Sequence, residues 1–322
     1  MSRVLLVGFA GIGGQDHQTA MYGPAFEKHP EFTVVGVCAG PDEPGSAAKT
    51  AAGRLDVPQY ESFDQADFDV ASVAVGLPHR AAIITQLLRA GKHVLADKPL
   101  AASLAETEAI AEAAALSKRV VVPAHHQRLH GSIRSATAAL GAGRVGLPWN
   151  VQADFLVAGG DVAPTGELVN LALYPVDVLH AMLGLSVTRV FARSGRYWNS
   201  EADDFVALML DYAHGVTGTI TVGRTGAARD TQPGGLTKHR YRVSGSHGVL
   251  LVDALKPALD LHTADAQERR WIGPGTIDAL LDVLHRGIQT GLPDIAVTDA
   301  VHTHQVIEAA ERSLRSGAPE RI

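Results

Sequence analysis

"VLLVGFAGIGGQDH", residues 4–17, is the stretch on which the fold turns. Four consecutive apolar residues read as a strand buried on both faces. The run that follows, Gly8, Ala10, Gly11, Ile12, Gly13 and Gly14, reads as a tight turn entering a helix. Such a turn lets backbone N–H groups approach an anion, and the positive end of the helix faces the same point. The spacing is irregular. A plain G-x-G-x-x-G puts Ala10 in the second slot, whereas one inserted residue selects Gly8, Gly11 and Gly14. A glycine-rich turn without a ligand has the same local pattern, so the surroundings decide.

Outward from that turn, short apolar runs alternate with longer amphipathic ones. Val4–Gly8, Phe32–Cys38, Val70–Val75, His93–Ala96 and Arg119–Val122 read as strands. Arg80–Ala90 and Ser103–Ser117 carry helical spacing, the second with Ser103 as N-cap and Glu106 three residues on. Strand alternating with helix implies right-handed βαβ units and a buried parallel sheet. The expected fold class is therefore α/β, with a doubly wound Rossmann domain over residues 1–122 and a dinucleotide on the glycine turn. Gly23-Pro24 interrupts the first helix, since proline lacks the N–H and crowds the preceding turn.

At 322 residues the chain exceeds one ordinary domain, and its composition is that of a globular protein. A net charge of -6, with 28 Lys and Arg that do not cluster, leaves no basic field for nucleic acid. Cys38 is the only cysteine, no window approaches the ~18 apolar residues of a spanning helix, and the first residues are too short in apolar run for a signal peptide. The expectation is a cytoplasmic protein with no nucleic-acid or membrane partner.

In doubly wound sheets ligands lie beyond the carboxyl ends of the strands. The second strand ends at Ala39-Gly40, where an NAD binder usually places an acid for the ribose 2'-hydroxyl. Its loss removes repulsion against a 2'-phosphate, with Lys49 or Arg54 in reach, while Asp42 and Glu43 argue the other way. NADP is weakly favoured over NAD. The fourth strand ends in Asp97-Lys98-Pro99, delivering Lys98 to the same crevice. A lone lysine after a strand is ordinarily a solvated charge.

The flanking "AGKHVLADKPLA" (90–101) resembles the A-G-K-H-V-x-x-E-K-P-x-A signature of the Gfo/Idh/MocA oxidoreductases, with Asp97 in place of the more usual Glu. The resemblance runs almost the whole chain. "VASVAVGLPHRA" (70–81) resembles the strand and turn that face the nicotinamide, implying cofactor contacts from Val75, Gly76, Pro78, His79 and Asp97. "AHHQRLHG" (124–131) resembles the segment after the domain crossover, which makes Gln127 and Arg128 candidates for substrate. "GELVNLALYPVDVLHAMLG" (166–184) is similar to the G-x-x-x-D-x-G-x-H-x-x-D helix, with Asn170 for Asp, Tyr174 for His and Asp177 retained.

The residues carry a chemical argument of their own. Pro175 fits the first turn of a helix that Gly184 closes, placing Tyr174 and Asp177 one turn apart on one face. Oxidising an alcohol requires a group to take the hydroxyl proton. Tyrosine and lysine are poor bases at their free pKa values of about 10, but a nearby ammonium favours phenolate and burial lowers lysine. Tyr174 is thus the proton donor or acceptor, Lys98 the polariser and relay, and Asp177 an orienting carboxylate; the first two roles are interchangeable. A phenol where the family most often has imidazole implies oxidation that rises into the alkaline range. Each residue also has a plain structural reading, as packed aromatic, surface charge or ion-pair partner.

Beyond residue 122 the chain changes character. Phe205–Tyr212 and Val216–Val222 suggest a mostly antiparallel, open sheet with helices on one face, an α+β substrate-binding and oligomerisation domain over 123–322. The apolar residues on its other face imply a homodimer or homotetramer. Residues 223–240 are long for a hairpin loop. His302 and His304 face different ways on a helix, and His125-His126 has no companion ligand, so no metal is expected. The sequence reads as an NAD(P)-dependent oxidoreductase acting on a sugar-like or polyhydroxylated alcohol or carbonyl. Imine reductases, trans-dihydrodiol dehydrogenases, nucleotide-using glycosidases and a non-catalytic nucleotide sensor are the alternatives.

Overall fold

The computed structural model describes residues 1–12, 15–197, 201–226, 235–255, 258–262, 267–271 and 275–322. In chain order the first elements are β1 (Ser2–Val7), α1 (Gly23–Lys28), β2 (Phe32–Cys38), α2 (Ser46–Leu55), β3 (Gln59–Tyr60), β4 (Val70–Val73), α3 (Leu77–Arg89), β5 (His93–Ala96), α4 (Leu104–Ser117) and β6 (Val121–Pro123). Then come α5 (Gly131–Gly141), β7 (Pro148–Ala158), α6 (Gly166–Asn170), α7 (Leu173–Leu183), β8 (Val187–Gly195), β9 (Phe205–Tyr212), β10 (Thr217–Thr225), β11 (Leu236–Gly245) and β12 (Gly248–Asp253). The chain ends with β13 (Ala258–His262), β14 (Gln267–Trp271), α8 (Thr276–Thr290), α9 (Val297–Ser316) and β15 (Glu320–Arg321). Among the described residues no helix is long and apolar enough to cross a membrane.

The first sheet has the order β3-β2-β1-β4-β5-β6 with every pairing parallel, the arrangement of a doubly wound dinucleotide fold. Residues 4–7 of β1, all of β4 and β6, and residues 94–96 of β5 are buried, which is why these strands read as apolar runs. The order reverses between β1 and β4, so the turns after these strands open the crevice. Pro78, expected in a strand-to-helix turn, stands in the first turn of α3, where its missing N–H costs nothing. The same helix buries Arg80, Ile83, Ile84, Leu87 and Leu88 on one stripe. Ser103 caps α4 by accepting from the Glu106 N–H, while Glu106 accepts from the Ala102 N–H at 2.9 Å. The Gly23-Pro24 interruption is preceded by a π-type turn over Gln18–Tyr22, in which the buried Gln18 amide bonds Ser72.

The second sheet has the order β12-β11-β7-β10-β9-β8-β15 and is antiparallel except for β7 with β10. β10 and β11 flank β7 on opposite sides, so residues 223–240 do not close a hairpin; of that stretch, 227–234 lie outside the described residues. Val206, Leu208 and Leu210 of β9 point into a core with α7, whereas Met209 is 61% exposed on the other face.

Contacts divide the chain into one unit of Met1–His126 with Thr276–His304, and a second of Gln127–Gly275 with Gln305–Ile322. A single cut at 122 assigns all of 276–304 to the second unit, and here the structure differs. The apolar stripe of α8 (Leu280, Leu281, Val283, Leu284) is legible as amphipathic, but periodicity does not name the surface it covers. In the structure His29 meets Asp282 at 3.3 Å and Thr107 meets His304 at 2.6 Å, which ties this returning segment to α4 and the segment after α1.

Candidate functional site

The glycine turn after β1 is built by close backbone approach. Gly8 has φ +81°, and a Cβ there would lie 2.4 Å from Val75 Cγ1. A Cβ on Gly11 would lie 2.8 Å from Asp97 Oδ2, and one on Gly40 would lie 2.6 Å from Glu43 Oε1. At Gly8 the β4 end approaches as backbone and admits no side chain, while at Gly11 and Gly40 a side chain would have to displace the Asp97 or Glu43 carboxylate. That is the cradle a dinucleotide needs, with Gly8, Ala10, Gly11 and Ile12 on its wall. Gly13 and Gly14 lie outside the described residues.

The acid missing from Ala39-Gly40 arrives from further along. Glu43 accepts hydrogen bonds from the N–H groups of Phe9 (2.8 Å), Ala10 (3.2 Å) and Gly40 (2.9 Å). Its neighbour Asp42 takes φ +60°, which reverses the chain, and its carboxylate lies 2.9 Å from His79 Nε2. His79 therefore links the turn after β4 to the turn after β2. Arg54, a candidate for a 2'-phosphate, instead pairs with Glu27 at 3.1 Å.

At the carboxyl end of β5, Asp97 and Lys98 are 1% and 4% exposed. Asp97 accepts from Tyr22 Oη at 2.8 Å, meets His17 Nδ1 at 3.0 Å and lies 3.6 Å from Arg80. Burial alone would raise its carboxyl, but the hydrogen bond and charge of His17, then Arg80 and Lys98, outweigh burial and hold it well below the usual range. Arg80 is fully buried and donates to the carbonyls of Val75, Asp97 and Pro99. The Val75 carbonyl end and the Asp97-Lys98-Pro99 backbone are thereby pinned by one guanidinium. Lys98 precedes a cis bond to Pro99.

A second group of candidates assembles within the other unit. Leu173–Leu183 forms the expected helix, closed by Gly184 at φ +65°. Tyr174 and Asp177 are 7% and 1% exposed on it. Arg128 donates from Nε to Asp177 Oδ2 at 2.7 Å and from Nη2 to Oδ1, a bidentate pair that neutralises the carboxylate. Gln127 meets His130 Nε2 at 3.0 Å. The Tyr174 ring stacks on Phe155 at 5.3 Å, and Phe155 packs edge-on against His239 at 5.0 Å. His239 Nε2 is 2.9 Å from Tyr241 Oη. Burial, and then the charge of Asp177, push the Tyr241 phenol well above its usual range.

Asn170 donates to Glu167 Oε2 at 2.8 Å, and Glu167 Oε1 accepts from Arg224 at 2.5 Å. An aspartate at 170 would set two carboxylates at hydrogen-bond distance, which accounts for asparagine in this chain.

Sequence reasoning missed His17, Tyr22, Arg80, His130, His239 and Tyr241. Two signals were present. Arg80 interrupts the apolar stripe of α3, and in "HRYRV" (239–243) the period of two puts His239 and Tyr241 on the same face as buried Val243.

The comparisons agree with this architecture. The family model described as "Oxidoreductase family, NAD-binding Rossmann fold" matches residues 2–125, and the GFO/IDH/MocA C-terminal domain matches residues 133–251. The chain is 26% identical over 291 residues, 83% of this chain and 80% of the other, to dTDP-3,4-didehydro-2,6-dideoxy-alpha-D-glucose 3-reductase of Streptomyces violaceoruber. It is 25% identical to trans-1,2-dihydrobenzene-1,2-diol dehydrogenase of Sus scrofa over 58% of this chain and 59% of that one. The fold is similar to that of scyllo-inositol dehydrogenase from Lactobacillus casei, with TM-score 0.83 and 15% identity over 100% of this chain and 99% of that one. A parallel sheet in dinucleotide order, a glycine turn that admits no Cβ and family models spanning both units lead to one conclusion: the chain belongs to the Gfo/Idh/MocA family of oxidoreductases with an NAD-binding Rossmann fold.

Proposed function

We propose that this enzyme oxidises a secondary hydroxyl, or reduces the matching carbonyl, on a sugar-like ring bearing oxygens on neighbouring carbons. The names of the two sequence relatives share that chemistry, one a sugar reductase and the other a ring-diol dehydrogenase. When bound, a nicotinamide dinucleotide supplies or accepts the hydride. The chain's own residues then have a proton and a charge to manage. Lys98 polarises the reacting oxygen through Nζ. Tyr174 gives or takes the proton at Oη, and these two roles are interchangeable. Asp177, already paired with Arg128, serves instead to orient a neighbouring hydroxyl, and Gln127, on the turn that carries Arg128, is a further substrate ligand. The observation that carries this reading is the burial of Lys98 at a strand end whose backbone Arg80 fixes, since a solvated surface lysine has no need of such a seat.

On the other face of the second sheet, Leu251 is 76% exposed and Val249 59% on β12, and Met209 61% on β9; these exposed apolar side chains, separated by polar ones, are what supports assembly into a homodimer or homotetramer. Lack of an acid at Ala39-Gly40 favours NADP(H) only where no other carboxylate reaches that turn.

The test follows nicotinamide absorbance with a panel of inositols, aldoses and cyclic trans-diols, then repeats it with Lys98→Met. The expected outcome is a loss of at least about 10²-fold in turnover with dinucleotide affinity nearly unchanged. Wild-type turnover in that variant removes Lys98 from the chemistry.

A further inference from the structure

Glu43 is an unusual carboxylate for its position. It stands beyond the end of β2, after a left-handed turn at Asp42, yet its two oxygens reach back onto backbone amides of both glycine turns. The seat is made for it. A Cβ on Gly40 would lie 2.6 Å from Glu43 Oε1, so any side chain there would push the carboxylate from its place. The carboxylate makes its field felt at the strand end, where burial first and Glu43 second push the Cys38 thiol up. Of the two cations named for a 2'-phosphate, Arg54 is paired with Glu27, and Lys49 is exposed on α2.

We propose that Glu43 is the residue that selects NAD(H) over NADP(H), supplying from the loop after β2 the carboxylate that the strand's own end lacks. This rests on the reading that the glycine turn holds the dinucleotide. A carboxylate held on these amides suits a ribose hydroxyl, which donates to it. A 2'-phosphate donates nothing at neutral pH and brings up to two negative charges to the same point. Reversal of the preference suggested by Ala39-Gly40 is therefore a consequence of three residues of chain, Pro41 to Glu43, folding back over the turn.

Dissociation constants for NADH and NADPH, measured by nucleotide fluorescence on the full chain without substrate, test this. The wild-type protein is expected to bind NADH at least about tenfold tighter, a difference of about 1.4 kcal/mol. Glu43→Gln, which keeps the size and removes the charge, and Glu43→Ala are both expected to bring the two constants within about threefold. The ratio is the readout because damage to the turn weakens both nucleotides together. Equal affinities in the wild type, or a ratio that neither variant moves, overturns the selection by Glu43 alone. Failure of either nucleotide to bind the wild type overturns the cofactor reading of the turn, and this inference with it.

Discussion

Two buried carboxylates, one in each unit, lie against an arginine, and they are held differently. Asp97 is surrounded by His17, Tyr22 and Arg80, and Arg80 itself is fixed to three backbone carbonyls. Asp177 meets Arg128 bidentately, but Arg128 stands on a single short turn with its side chain 10% exposed. The first arrangement is over-determined, because several groups must move before the carboxylate can. The second is a bidentate ion pair whose charge reaches the Tyr241 phenol. The first is architecture that places Lys98; under the proposed function the second is where a substrate hydroxyl would be oriented.

The largest effect that separates the two belongs to Tyr174. Tyr174→Phe keeps the ring on Phe155 and removes the hydroxyl, so kcat is expected to fall about 10² to 10⁴-fold with little change in thermal unfolding. Steady-state kinetics beside a melting curve measure both. A retained rate would make the second unit's cluster packing alone, and the contrast would collapse.

Next comes stability. Asp97→Asn leaves Arg80 buried without its counter-charge, and breaking a buried pair this way costs about 3–5 kcal/mol. Asp177→Asn is expected to cost less, about 1–3 kcal/mol, because the Arg128 side chain keeps some solvent contact, 10% exposed against 0% for Arg80. Urea denaturation of both variants decides, and equal losses would break the comparison. The pH dependence sharpens it. Asp97 is held below its unfolded value, so its contribution is fully present above about pH 4 and is lost as pH falls through that range and below. The acid limb of the wild-type stability curve should accordingly be flattened in Asp97→Asn.

The same contrast explains what the sequence revealed. The first unit was legible because its inner strands are buried on both faces and its glycines, Gly8 against the Val75 backbone and Gly11 and Gly40 against carboxylates, answer to close approach, which leaves a mark in residue type. Asp97-Lys98-Pro99 announced itself by motif. The partners of Asp97 did not, since His17, Tyr22 and Arg80 come from separate segments that only the sheet order brings together. Glu43 was visible as an acid, but the left-handed turn that carries it back was not. In the second unit Tyr174 and Asp177 shared a helix and were readable together, whereas His239 and Tyr241 depend on which strand pairs with β7. Sequence separation, more than chemistry, set the limit.

The smallest expected effect falls on Tyr241. Its phenol is pushed up by burial and by Asp177, so it holds its proton to higher pH than a free tyrosine, and it shares a hydrogen bond with His239 Nε2. Tyr241→Phe loses that hydrogen bond and keeps the ring, for a cost of about 0.5–1.5 kcal/mol. The alkaline rise in oxidation, if it comes from Tyr174, must survive this substitution with its midpoint nearly in place, because the phenol removed is not the one that sets the pH profile. The Tyr174→Phe variant must lose the rise, and the Tyr174→His variant must move it down toward the imidazole range near 6.5. Rate against pH for the three variants distinguishes the tyrosines. Should the rise vanish in Tyr241→Phe and persist in Tyr174→Phe, the titrating phenol is Tyr241, and the pair beneath the helix, not the residue on it, carries the proton.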